Sequence, residues 1–95
     1  MRLTPSEHTT ITSILRSVDP QGEVLLFGSR VDDRRKGGDI DLLWFTSRPL
    51  DLRTQLSAQW QLEVACDTHV DLLVKSPYEP EQPIHRIALE RGVRL

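Results

Sequence analysis

Val24-Leu25-Leu26-Phe27-Gly28-Ser29 and, nine residues later, Asp39-Ile40-Asp41-Leu42-Leu43-Trp44-Phe45 decide how this chain folds. The first stretch is apolar without alternation, the pattern of a strand buried on both faces. It stops abruptly at Gly28-Ser29. The second reads as another strand. Its residues alternate sides, so Asp39 and Asp41 share one face while Ile40, Leu42 and Trp44 face a core on the other. Acidic residues are depleted in strands. Two carboxylates about 7 Å apart on one face repel by roughly 0.5–2 kcal/mol. A plain solvent-facing edge would tolerate that cost; otherwise something must offset it.

Outward from this pair, the flanks supply helices. Thr4-Pro5-Ser6-Glu7 is a capping box with proline at the first helical position. Ile11, Ile14, Leu15 and Val18 continue it as one apolar stripe, and Asp19-Pro20-Gln21-Gly22 ends it. Arg30–Lys36 is charged, a short helix or a surface loop, broken by Gly37-Gly38. After the second strand, Ser47-Arg48-Pro49 is a turn and helix start. Leu52, Leu56, Trp60 and Val64 recur at every fourth residue, and Asp67-Thr68 closes that helix. His69-Val70-Asp71-Leu72-Leu73-Val74 is a third strand. Ser76–Pro83 holds three prolines and reads as an irregular connection. Ile84, Ile87 and Ala88 mark a last helix stopped by Gly92. The pattern predicts an α/β (α+β) fold: a small mixed sheet of three to four strands covered by helices, in one domain spanning 1–95.

Composition narrows the function classes. A chain of 95 residues buries only about 60–65% of its unfolded surface, so a large enclosed substrate chamber is not expected. Hydrophobic residues make up 38% and charged ones 27%, the balance of an ordinary globule rather than a disordered chain. Twelve basic and fourteen acidic residues leave a net charge of −2, without the basic excess that marks nucleic-acid or membrane binding. The single cysteine, Cys66, excludes an internal disulfide and reads as a small buried residue. The N-terminal residues lack the apolar core of a signal peptide. The longest apolar runs, Val24–Phe27 and Leu42–Phe45, fall far short of the roughly 20 residues of a membrane span. A cytoplasmic location is expected.

The residues that carry chemistry converge on phosphate and metal. Asp71 is a third carboxylate in an apolar strand, with His69 on its face. A hard divalent cation offsets clustered carboxylates. Mg²⁺ takes carboxylate oxygens, retains waters and is completed by substrate phosphates, so Asp39, Asp41 and Asp71 are candidates for a two-metal site. Gly28 would let a phosphate approach the backbone, and Ser29 offers a hydroxyl. Arg30, Arg34, Arg35 and Lys36, less Asp32 and Asp33, give this connection a local charge of +2 (4 − 2), with Arg30 a candidate phosphate contact. Simpler roles compete: Gly28 as a turn glycine, Ser29 as a helix cap, Arg30–Lys36 as a solvated loop. His8, His69 and His85 lack metal-ligand spacing and read as structural or exposed; His69 stands out because it lies beside Asp71. Trp44 and Trp60 read as core. No Gly-x-Gly-x-x-Gly, P-loop or His-Glu-x-x-His motif is present.

Together, Gly28-Ser29-Arg30, Asp39-Ile40-Asp41-Leu42 and Val70-Asp71-Leu72 resemble the minimal nucleotidyltransferase (MNT) family of the DNA polymerase beta superfamily. The capped first helix and the ending Ile84…Glu90-Arg91-Gly92-Val93 extend the likeness along nearly the whole chain. Two features depart from the family pattern: the segment between Ser29 and Asp39 is one residue shorter than usual, and Gly38 replaces a common serine. The resemblance implies the nucleotidyltransferase fold. It implies that Gly28 and Ser29 hold nucleotide phosphates, and that Asp39 and Asp41 bind Mg²⁺ with Asp71 completing the site. It also implies an antitoxin that transfers AMP from ATP to a tyrosine of a helical HEPN-type toxin, within a homo- or hetero-oligomer. The alternatives are neutralisation of the toxin by binding alone and nucleotidyl transfer to a small molecule. Transfer to an RNA end is disfavoured by the net charge.

Overall fold

Thr4 and Glu7 close the predicted capping box. Thr4 Oγ1 accepts the Glu7 N–H at 3.0 Å, and Glu7 Oε1 accepts the Thr4 N–H at 2.9 Å. The computed structural model describes residues 3–28 and 39–95. Ser29, Arg30 and the rest of the charged connection lie outside the described residues. The first helix, α1 (Pro5–Val18), is followed by β1 (Glu23–Phe27), β2 (Ile40–Phe45), α2 (Leu52–Cys66), β3 (Val70–Lys75), α3 (Pro83–Arg91) and a short β4 (Val93–Arg94).

The strands form one mixed sheet in the order β3-β2-β1-β4. β1 runs antiparallel to both β2 and β4, whereas β2 and β3 are parallel. A parallel neighbour requires a crossover, and α2 supplies it. Both faces of the central strands are covered, as the unbroken apolar run of β1 requires. On one face Ile11 and Leu15 of α1, Ala58 and Leu62 of α2, and Val24, Leu26, Ile40, Leu42, Trp44 and Val70 form the larger core. On the other, Leu25 and Leu43 pack with Ala88 of α3. Trp44 is wholly buried, as expected. Among the described residues no helix is long and apolar enough to cross a membrane.

Three expectations need correction. α2 does not start at Ser47-Arg48-Pro49. Asp51 is its N-cap and accepts the Thr54 N–H at 2.8 Å, while Ser47 is engaged by Asp19. The expected apolar stripe of α2 is not its buried side: Leu52, Leu56, Trp60 and Val64 are 56–68% exposed, so Trp60 is not a core residue. The helix instead buries Ala58 and Leu62, with half-buried Cys66 at the core's edge. Residues two apart on a helix lie about 200° apart, so these two fourth-residue stripes occupy opposite sides. Periodicity located the helix without telling which stripe faces inward; small Ala58 permits the close approach. Likewise α3 buries His85 and Ala88, leaving Ile84 and Ile87 partly exposed. His85 is structural, its Nδ1 accepting the Gln82 N–H at 3.0 Å.

Asp19 ties the end of α1 to the turn after β2. It is only 2% exposed and accepts the Ser47 hydroxyl and the Ser47 N–H, both at 2.6 Å, and the Gln21 N–H at 3.3 Å. Burial pushes its carboxyl pKa up. The Ser47 and Gln21 donors, with the Arg48 charge, outweigh that and hold it below the usual carboxylate value. A carboxyl with a depressed native pKa adds stability above its unfolded pKa and loses it as pH falls through the native one. Asp19→Ala is therefore expected to cost about 2 kcal/mol at neutral pH. Urea melts of the two proteins should draw together only below about pH 4.

Candidate functional site

Strand register assembles the acidic cluster. In the parallel ladder Asp41 is the partner of Asp71, and in the antiparallel ladder it is the partner of Phe27. Registered neighbours project from the same face, so Asp41 and Asp71 stand side by side. Asp39 lies just before β2, two residues from Asp41 and on its side. Donor atoms of Asp39, His69 and Asp71 all lie within 4.8 Å of one another, in exposed positions. The three aspartates singled out in the sequence therefore converge. Gly28 joins them from the end of β1; Ser29 and Arg30 fall outside the described residues.

Gly28 has two separate reasons to be glycine. Its φ of +77° lies in the left-handed region that side chains disfavour. A Cβ there would also fall on Asp41 Oδ2. The backbone bend and the carboxylate occupy adjacent space, which brings a main-chain turn directly against the acidic cluster.

Electrostatics give the cluster its character. The Asp41 carboxyl pKa is raised, first by burial, then by the charge of and side-chain contact with Asp71, and then by Asp39; His69 opposes these. Carboxylates are acceptors only when ionised, so they cannot satisfy one another. Three hard oxygen donors with mutual repulsion suit a divalent cation such as Mg²⁺.

His69 lies between two carboxylates. Its Nδ1 is 2.8 Å from Glu63 Oε2, and its Nε2 is 2.9 Å from Asp71 Oδ1. Its pKa is raised, chiefly by the bond to Asp71, with the Asp71 charge, the Glu63 bond and Asp39 adding and desolvation opposing. Sequence reasoning placed His69 beside Asp71 but missed Glu63. No short-range pattern connects a helical glutamate with a strand that begins seven residues further on.

A separate depression, lined by Thr12, Arg16, Glu23, Trp44 and Arg94 among others, sits at the other end of the strands. Among the described residues it gathers no such set of donors. Asp39, His69 and Asp71 of the cluster are all exposed.

A parallel–antiparallel sheet backed by helices, with registered aspartates beside a glycine bend, defines a nucleotidyltransferase domain. The profile of that family, the nucleotidyltransferase domain, matches residues 9–95, and the chain belongs to it. A comparison with curated protein sequences gave no match. Among solved structures, a toxin–antitoxin complex with AMP-PNP contains a chain 23% identical at a TM-score of 0.76, aligned over 90% of this chain and 69% of that one. The complex of tri-AMPylated Shewanella oneidensis HEPN toxin with MNT antitoxin gives 22% identity and 0.73, over 93% and 67%. A further Shewanella oneidensis structure gives 16% and 0.77, over 98% and 71%. At these identities the likeness is one of fold, and it agrees with the expected nucleotidyltransferase architecture.

Two substitutions probe the cluster. Gly28→Ala should displace Asp41 and cost about 1–2 kcal/mol in urea denaturation, from the left-handed backbone alone. Asp41→Asn should do the opposite in the cation-free chain. Removing one of the clustered charges is expected to raise stability by a few tenths to about 1 kcal/mol, read as a higher urea midpoint.

Proposed function

We propose that this chain is a Mg²⁺-dependent nucleotidyltransferase that transfers AMP from ATP to a tyrosine hydroxyl of a helical HEPN-type toxin, acting in the cytoplasm as its antitoxin. The observation that carries this reading is the registered Asp41–Asp71 pair beside Gly28, with Asp39 adjoining. The known fold partners support the toxin as acceptor: one solved neighbour is described as a tri-AMPylated HEPN toxin bound to an MNT antitoxin, and another holds AMP-PNP.

In this reading Asp39, Asp41 and Asp71 hold Mg²⁺. Bound there, the cation would neutralise phosphate charge and acidify the acceptor hydroxyl. The Gly28 bend, with Ser29 and Arg30, receives the β- and γ-phosphates against main-chain N–H groups. Asp71 orients the acceptor hydroxyl and takes up its proton. The hydroxyl oxygen attacks the α-phosphorus in line, a new O–P bond forms, the α–β bridging P–O bond breaks, and pyrophosphate leaves. The exposure of Asp39 and Asp71 suits an acceptor presented by another macromolecule.

The exposed apolar side of α2 favours a second reading, in which the chain neutralises its toxin by binding alone. Patches of this kind commonly mark interaction surfaces. One experiment separates the two. Incubation of chain and toxin with ATP and Mg²⁺ should add one or more AMP units to the toxin by intact mass. Asp39→Ala combined with Asp41→Ala should slow that labelling at least about a hundredfold and release toxin activity. Full neutralisation by the double variant would favour binding alone. Labelling of small molecules, with none on the toxin, would redirect the activity to a small-molecule acceptor.

A further inference from the structure

We propose that Glu63 and His69 are positioning residues that hold the Asp71 carboxylate in one orientation for cation binding and transfer. The inference rests on the nucleotidyltransferase reading and deepens it.

Asp71 needs such support. Its side chain is 53% exposed, and an exposed aspartate on a strand is otherwise free to change rotamer. His69, two residues earlier on the same strand side, holds Asp71 Oδ1 at 2.9 Å. The His69 side chain is itself 51% exposed and is fixed from its other edge, where Glu63 Oε2 meets Nδ1 at 2.8 Å. Glu63 is anchored in turn, because the same oxygen accepts the Val70 N–H at 3.2 Å. Val70 is wholly buried and pairs in register with Ile40. A continuous series of bonds thus runs from the core backbone through Glu63 and His69 to Asp71.

His69 supports the site rather than ligating a cation. Its donor atom lies within 4.8 Å of those of Asp39 and Asp71, which alone would suggest a ligand. Yet both ring nitrogens are already engaged, Nδ1 with Glu63 Oε2 and Nε2 with Asp71 Oδ1, so neither is turned openly to the site. Asp71 Oδ2 takes no part in the His69 bond. Exposed ion pairs of this kind stabilise a fold by only about 0–1 kcal/mol, so stability alone gives little reason for the arrangement. Groups that orient a cation's ligands typically change affinity or activity about 10–100-fold.

The test titrates the purified chain with Mn²⁺ alone, counting free ion by electron paramagnetic resonance, and measures kcat and KM for ATP in toxin labelling. His69→Ala and Glu63→Ala should each weaken Mn²⁺ binding about tenfold or more and lower kcat while leaving KM for ATP unchanged. Thermal melts should stay near the wild type. Glu63→Gln should restore most of both, because its amide oxygen still accepts from His69 and Val70. Asp39→Ala serves as the reference for loss of the site itself. If Asp39→Ala abolishes Mn²⁺ binding while His69→Ala and Glu63→Ala bind like the wild type, the positioning role is wrong and the site reading stands. Equal damage from Glu63→Gln and Glu63→Ala would also overturn it. A wild-type chain that binds no Mn²⁺ would remove both the site reading and this inference.

Discussion

The parallel pairing of β2 with β3 places Asp41 against Asp71, and this end of the sheet is organised around that contact. Pairing shifted by one residue would put the whole apolar set of β3 on the wrong side, so the buried partners Ile40 and Val70 fix the register. The core thereby dictates which carboxylates meet. Once they meet, a side chain on Gly28 would have to displace the Asp41 carboxylate, and His69 is bonded to Asp71.

Two aspartates show how environment divides stability from function. Asp19 and Asp41 are the same residue, and burial pushes both pKa values up. Asp19 is surrounded by donors, so its charge is welcome and the carboxylate fastens α1 to the turn after β2. Asp41 has other carboxylates as its neighbours, so its charge is disfavoured. The protein places a donor-rich carboxylate at one end of the strands and a cluster of carboxylates at the other. A native structure that keeps unsatisfied groups in proximity does so at functional sites.

Much of this was legible in the chain itself. The Thr4–Glu7 box, the two-sided apolar run of β1 and the Asp39/Asp41 alternation are local signals, and each appears in the structure as read. Convergence of Asp71 with that pair followed from strand order and the family likeness. What escaped is what depends on tertiary contacts. α2 carries apolar stripes on opposite sides, and only the approach of α1 and the sheet selects the one containing Ala58 and Leu62. Glu63 belongs to the site through a fold-back of α2 onto β3 that no periodicity encodes. Asp51 rather than Ser47 caps α2 because Ser47 is already bonded to Asp19.

The α2 crossover has a consequence for the order of assembly. β1 and β2 are consecutive strands among the described residues, but β3 can dock on β2 only after the whole of α2 has been traversed and the chain has closed that loop. Before closure, Asp71 is remote from Asp39 and Asp41, and a partly folded chain does not experience their mutual repulsion. The acidic triad therefore comes into being only when β3 pairs with β2.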